Sequence, residues 1–125
     1  MSGELSTTAR GARGEAQAAA YLQGQGWTVL AHNFRTRRGE IDLVVQRGDE
    51  VAFVEVKSWR SVPREELGRA IGARKQARIA RAAQAFLAGR RDLASAHVRF
   101  DVVFLGGEEG GIAHIPEAFG GEGID

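Results

Sequence analysis

Between Trp27 and Lys57 the apolar positions fall into short blocks cut by charge and glycine, the pattern of strands rather than of a continuous helix. "WTVLAHNF" suggests an edge or twisted strand, and the basic connection "RTRRG" follows it. Glu40 to Gln46 and Val51 to Lys57 are the two clearest strands. Before them, Ala12 to Gln23 is alanine-rich, carries Glu15 near its start and is followed by Gly24 and Gly26, which predicts a helix with a glycine stop. Beyond "SWRSVP", Pro63 interrupts pairing and leads through a loop or short helix to a longer helix near Gly72 to Leu87. "HVRFDVVFL" is a further strand, and "GIAHIPEAF" supplies a short last strand and turn. Residues 1–10 are read as a flexible N-terminus, 11–120 as one domain and 121–125 as a flexible end, with neither an internal repeat nor an interdomain linker. The order helix, strand, hairpin, helix, strand is most economically buried as an α/β layer fold, one central mixed sheet flanked by helices.

The hairpin determines where the charges fall. With Gly48 and Asp49 as a two-residue turn, Arg47 faces Glu50 and Val44 faces Phe53. Continuing that register sets Asp42 opposite Glu55 and Glu40 opposite Lys57, all four on one side, with Ile41, Leu43, Val54 and Val56 on the other. Opposed strand residues stand about 4.5–5.5 Å apart at Cβ, so Asp42 and Glu55 can clasp one divalent cation; equally, Lys57 can tie the acids into an ion-pair network with no chemistry at all.

Composition narrows these choices. The chain has 125 residues and 43% hydrophobic content, which suits one core and no run near the about 20 apolar residues of a membrane helix. A cytoplasmic protein without membrane contact is expected. Cysteine is absent, so thiolate nucleophiles and zinc–cysteine sites are excluded and oxygen or imidazole ligands remain. His32, His97 and His114 have no compact ligand spacing. The formal net charge of +1 hides an asymmetry: all 17 lysines and arginines lie at or before Arg99. The acidic tail beyond Arg99 contains no lysine or arginine, so the body is cationic and suits a polyanion.

The segments "GEIDLV" and "FVEVKSWR" resemble the PD-(D/E)xK nuclease superfamily, and from Arg13 to Phe119 the chain is similar to the small bacterial YraN family, itself similar to Holliday-junction resolvases. "RFDVV" and "HIPEAF" match later motifs; the superfamily's proline before the first acid is replaced by Ile41. The resemblance implies a restriction-endonuclease-like domain, Mg2+ or Mn2+ as cofactor, DNA that is possibly branched as partner, and a homodimer. It assigns catalytic roles to Asp42, Glu55 and Lys57, matches Glu15 to an acid of the preceding helix and suggests Gln76 near the centre. Asp42, Glu55 and the Val56 carbonyl would hold the metal, since hard oxygen donors suit it.

Several side chains extend this site towards a polyanion. Arg35, Arg37 and Arg38 precede the first acid, Arg74, Arg78 and Arg81 form an i, i+4, i+7 row, and Trp59 and Arg60 follow the lysine, Trp59 with a ring able to stack on a base. Solvated helix charge and ordinary packing compete with those roles. Asp101 shares a side of its strand with Arg99 and suggests a polar network. Three functions therefore stand: a metal-dependent endonuclease for structured or branched DNA, a nucleic-acid-binding homologue with a retained nuclease-like metal site and little or no turnover, and an interaction protein. The third leaves the opposed acids unexplained.

Overall fold

A computed structural model describes residues 2–58, 72–106 and 111–120, with side chains from residue 13 onward. Helix α1 runs Ser2–Gly24, followed by strands β1 (Thr28–Arg35), β2 (Glu40–Arg47) and β3 (Glu50–Ser58). Helix α2 (Ala73–Ala88) and a short 3-10 turn at Arg91–Leu93 lead to β4 (His97–Leu105) and β5 (Ile112–Phe119). Helix α2 and all five strands lie where the pattern of the chain predicts. Helix α1 differs: it begins at Ser2 rather than Ala12, because the segment before Ala12 contains no proline to stop a helix whose inner half is anchored on the sheet.

The strands form one sheet in the order β1-β2-β3-β4-β5. β3 and β4 are parallel, joined by the crossover that contains α2, and the other neighbours are antiparallel. Each helix covers one face. Ile79, Ala82, Ala83 and Phe86 of α2 pack on Val44, Val51, Phe53, Phe100, Val102 and Phe104. Ala18, Ala19 and Leu22 of α1 pack with Trp27 on Leu43, Val45, Ala52, Val54, Val103 and Leu105. Alternation along β3 and β4 produces this division, successive side chains pointing to opposite helices. On the α2 face the Phe86 ring meets Phe34 edge-on at 5.2 Å and Phe53 at 5.9 Å, while Phe100 stacks on Phe53 at 5.6 Å and on Phe119 at 5.0 Å. Aromatic contacts thereby tie both outer strands to the centre.

The α1 face also buries charge. Asp101, 1% exposed, accepts two hydrogen bonds from Arg99, at 2.9 and 3.1 Å, and one from the Glu117 N–H at 3.1 Å, and lies 2.6 Å from His114 Nε2. Arg99 also reaches Glu50 at 3.2 Å and stands 5.1 Å from the Trp27 ring centre. Burial opposes the Asp101 charge, but its hydrogen bonds to His114, Arg99 and Glu117 hold the carboxyl below its ordinary range. The Arg99–Asp101 association expected from strand alternation is thus present, and His114 has a structural partner.

The outer strands are irregular. The register of β1 shifts between Val29 and Ala31, and Asn33 takes φ 50°. In β5, Pro116 lacks an N–H and Glu117 takes φ 48°, opposite a register shift in β4 between Phe100 and Val102.

The central hairpin has the expected turn and register, from Arg47↔Glu50 to Leu43↔Val54. It then diverges from expectation. Neither Asp42↔Glu55 nor Glu40↔Lys57 continues the ladder; instead the Val56 N–H donates to Asp42 Oδ2 at 2.8 Å. β2 remains paired with β1, Ile41 to Phe34 and Glu40 to Arg35. The strand therefore follows β1 away from β3 and opens a fork. Ile41 consequently packs in the α2 cluster, whereas Leu43 and Val54 face α1, so the expected common side for Ile41 and Leu43 is incorrect.

The connection from β1 to β2 docks on α2. Thr36 Oγ1 accepts hydrogen bonds from the Arg38 and Gly39 N–H groups at 3.1 Å, closing the turn. Gly39 is buried against the Arg78 backbone, and an added Cβ would collide with the Arg78 carbonyl. Backbone on both sides limits relief. Gly39→Ala is expected to destabilise the fold by about 1–3 kcal/mol, measured as a lower urea midpoint with an unchanged slope; an unchanged midpoint would show that the turn does not need this close approach.

Candidate nuclease-like site at the strand fork

The fork is built from two acids brought together by a broken ladder. Asp42 replaces a main-chain acceptor with its own carboxylate, while Glu55 belongs to the same alternating set as Val51 and Phe53 and points to the α2 side. Glu55 is 6% exposed. Its Oε2 lies 2.6 Å from Lys75 Nζ on α2. The two carboxyls also share a hydrogen bond, and burial together with the Glu55 charge pushes Asp42 up to about 7, against the opposing effects of the Val56 N–H and Lys75. One proton held between two buried acids is the expected result of like charge in a poorly hydrated place.

Other expected residues gather around one opening. Asp42, Val56 and Lys57 from the fork, Glu15 from α1, and Ser58 and Gly106 at the adjoining strand ends line a hollow of about 610 Å³. Glu15 hydrogen-bonds to Asn33; burial and the Asp42 charge raise its carboxyl, opposed by Asn33, His32 and Arg35. The Val56 N–H and C=O share a direction on the strand, so its carbonyl also faces the fork. Asp42, Glu55 and this carbonyl are hard oxygen donors, the kind that Mg2+ and Mn2+ take together with waters. Among the described residues no group of three or more His, Cys, Asp or Glu is arranged to hold a metal. Glu15 is joined to Asn33 and not to a three-acid cluster.

The basic residues separate into distinct places. Arg35 is engaged with Glu40, Nε to Oε2 at 3.2 Å, across the β1–β2 ladder. Arg37, Arg38, Arg81 and Gln84 line a hollow of about 500 Å³ between the β1–β2 turn and α2. Arg74, Lys75, Arg78 and Glu40 line another of about 350 Å³ farther along the same helix. Arg37, Arg38, Arg74, Arg78 and Arg81 form no ion pair with another described residue. Trp59 and Arg60 lie outside the described residues.

Gln76, the amide suggested for the centre, is half-buried, and its N–H bonds the Gly72 carbonyl at 2.9 Å. The helix also brings Lys75 to the acids. Lys75 lies one turn ahead of the buried Ile79, Ala82 and Phe86, in an i, i+4, i+7, i+11 series along α2, and is itself exposed. That spacing was legible in the chain, whereas its approach to Glu55 depends on how the helix crosses the sheet. Asn33 was hidden for a different reason: its left-handed backbone angle is a property of the twisted edge strand.

Residues 14–105 match the model of a family described as "Uncharacterised protein family UPF0102". A UPF0102 protein of Treponema pallidum (strain Nichols) is 40% identical over 114 residues, covering 87% of this chain and 90% of the relative. One from Azorhizobium caulinodans is 43% identical over 115 residues, with 92% and 86% covered, and one from Synechococcus sp. (strain JA-3-3Ab) is 47% identical over 96 residues, with 76% and 73% covered.

The shared proton has a stability consequence. The folded Asp42 carboxyl sits above its unfolded value near 3.8, rising to about 7, so its contribution is fully present below the unfolded value and is lost as pH rises through the folded one. Without divalent cations, the wild type should lose on the order of 2 kcal/mol between pH 4 and pH 8 relative to Asp42→Asn, whose amide mimics the protonated acid. Parallel urea melts measure the difference; curves that keep a constant separation across that range would remove the shared proton from the account.

Proposed function

This chain belongs to the UPF0102/YraN family, part of the PD-(D/E)xK-like nuclease superfamily, and from that membership we propose that it binds structured or branched DNA around a retained nuclease-like metal site, with little or no turnover. The observation that carries this reading is the Lys75–Glu55 contact of 2.6 Å beside Asp42, where no three His, Cys, Asp or Glu among the described residues are arranged to hold a metal. With Asp42 raised towards its neutral form, the Lys75 ammonium balances the charge of Glu55. The open arginines at the β1–β2 turn and along α2 supply the complementary surface for phosphates.

In this reading Asp42, Glu55 and the Val56 carbonyl hold one Mg2+ or Mn2+. Such an ion polarises a phosphoryl oxygen and favours an ionised water nearby. Lys57, lining the same hollow as Asp42 and Glu15, offers an ammonium to a phosphate oxygen and stabilises charge there. Arg37, Arg38 and Arg81 hold the strand by its backbone, an interaction that is indifferent to sequence. The placement of Lys57 beside Asp42 and Glu15 also supports a second reading, a Mg2+-dependent endodeoxyribonuclease for branched DNA. Lys57 then contributes to turnover and not only to binding.

Synthetic four-way, linear duplex and single-stranded DNA, each with and without Mg2+ or Mn2+, distinguish the readings. Binding with no cleavage supports the first. Metal-dependent cleavage that falls at least about tenfold in folded Lys57→Ala, with little change in metal affinity, supports the second. Replacing Arg37, Arg38 and Arg81 together by alanine should weaken DNA binding and make its salt slope shallower by about 2–3, since each lost duplex phosphate contact removes roughly 0.9. Unchanged affinity and slope would reject the arginine groove as the DNA surface.

A further inference from the structure

Lys57 and Lys75 approach the two acids from different sides. Lys57 lines the hollow shared with Asp42 and α1, whereas Lys75 extends from α2 beside Arg74 and Arg78. The Lys75 side chain is 47% exposed although its ammonium reaches Glu55, which is 6% exposed. One end of this ion pair is therefore fixed in the core and the other is open to solvent. Burial works against the Lys75 charge, but the hydrogen bond and charge of Glu55, aided by Asp42 and Glu40, outweigh it.

An ammonium 2.6 Å from Glu55 Oε2 occupies the place of a cation at that oxygen. A Mg2+ ion taking that same oxygen would sit about 2.0–2.1 Å from it, and it repels an ammonium already held there. The two cations compete for Glu55 Oε2. The flexible four-carbon stem of lysine allows its head to leave without moving α2. The adjacent hollow is lined by Arg74, Arg78 and Glu40; Glu40 is paired with Arg35, so the two helix arginines leave an electropositive destination that a bound anion makes favourable to the ammonium.

We propose that Lys75 is a positioning residue which holds Glu55 in the absence of a divalent cation and, when the cation takes Glu55, transfers its ammonium to a phosphate of bound DNA. This rests on the metal and DNA reading above and adds to it an exchange of partners. Cation and DNA then favour each other's binding, because each takes one partner of the same ion pair. By reciprocity the coupling is equal in both directions.

Calorimetric titration of MnCl2 into wild type, Lys75→Met and Lys75→Arg tests the exchange, with folding checked by circular dichroism. Without DNA, Lys75→Met should bind Mn2+ at least about tenfold more tightly than wild type, and Lys75→Arg, which keeps the competing charge, should not. Saturation with a synthetic four-way junction should tighten Mn2+ binding to wild type by a similar factor and change Lys75→Met much less. A purely structural Lys75 predicts the reverse: removal leaves Glu55 buried and uncompensated, lowering stability and metal affinity together. If Lys75→Met does not fold, Lys75→Gln is used, whose amide keeps a hydrogen bond to Glu55 without the charge. Equal or weaker Mn2+ binding in the folded uncharged variant overturns the exchange. Absence of Mn2+ binding in all proteins overturns both the exchange and the metal reading, while DNA binding by the same preparations tests the nucleic-acid reading separately.

Discussion

The hydrogen bond from the Val56 N–H to Asp42 Oδ2 is the interaction on which the site depends. It replaces a strand-to-strand bond with one to a side chain. The main chain of β2 is thereby released to follow β1, yet the half-buried Val56 N–H keeps an acceptor. The fork is not frayed structure. It opens without an orphaned donor at that position, and it places a carboxylate where a strand would ordinarily put a carbonyl.

The rest of the fold makes that opening durable. Beneath the fork, β3 is central and is paired along its length with β4, while helices on both faces bury its apolar residues. Asp101 and Arg99 settle the charge balance nearer the other end of the strands. Gly39 lets the basic turn rest on the α2 backbone, so Arg37 and Arg38 face Arg81 across a defined gap. Acids and bases are consequently held by different elements at fixed separations. A flexible tail could not supply that arrangement.

Local chemistry made the hairpin legible. Gly48 and Asp49 demanded a two-residue turn, and alternation placed Val44 against Phe53 as observed. The same logic selected Asp42, Glu55 and Lys57, but it assumed that the ladder would continue. It did not anticipate an aspartate bonding to a backbone N–H across the fork, because strand alternation treats every side chain as a passenger on the pleat. Lys75 escaped for a longer-range reason. Its position one turn ahead of the buried residues of α2 followed from helical spacing, but which strand residue it met required the packed arrangement of helix and sheet. Glu15 was placed near the acids by family resemblance, while its Asn33 contact arose from a backbone angle with no clear sequence signal.

Both outer strands carry features that make them poor templates for another strand. β1 has a register shift after Val29 and a left-handed residue at Asn33; β5 has Pro116, with no donor, and Glu117, whose N–H is turned inward to Asp101. Regular addition of a neighbour would need evenly spaced donors and acceptors along an edge, and neither edge presents them. The sheet is therefore guarded against growth into fibrils or accidental pairing while it keeps an open fork at its centre. The sheet has its interruption in the middle and its safeguards at the margins.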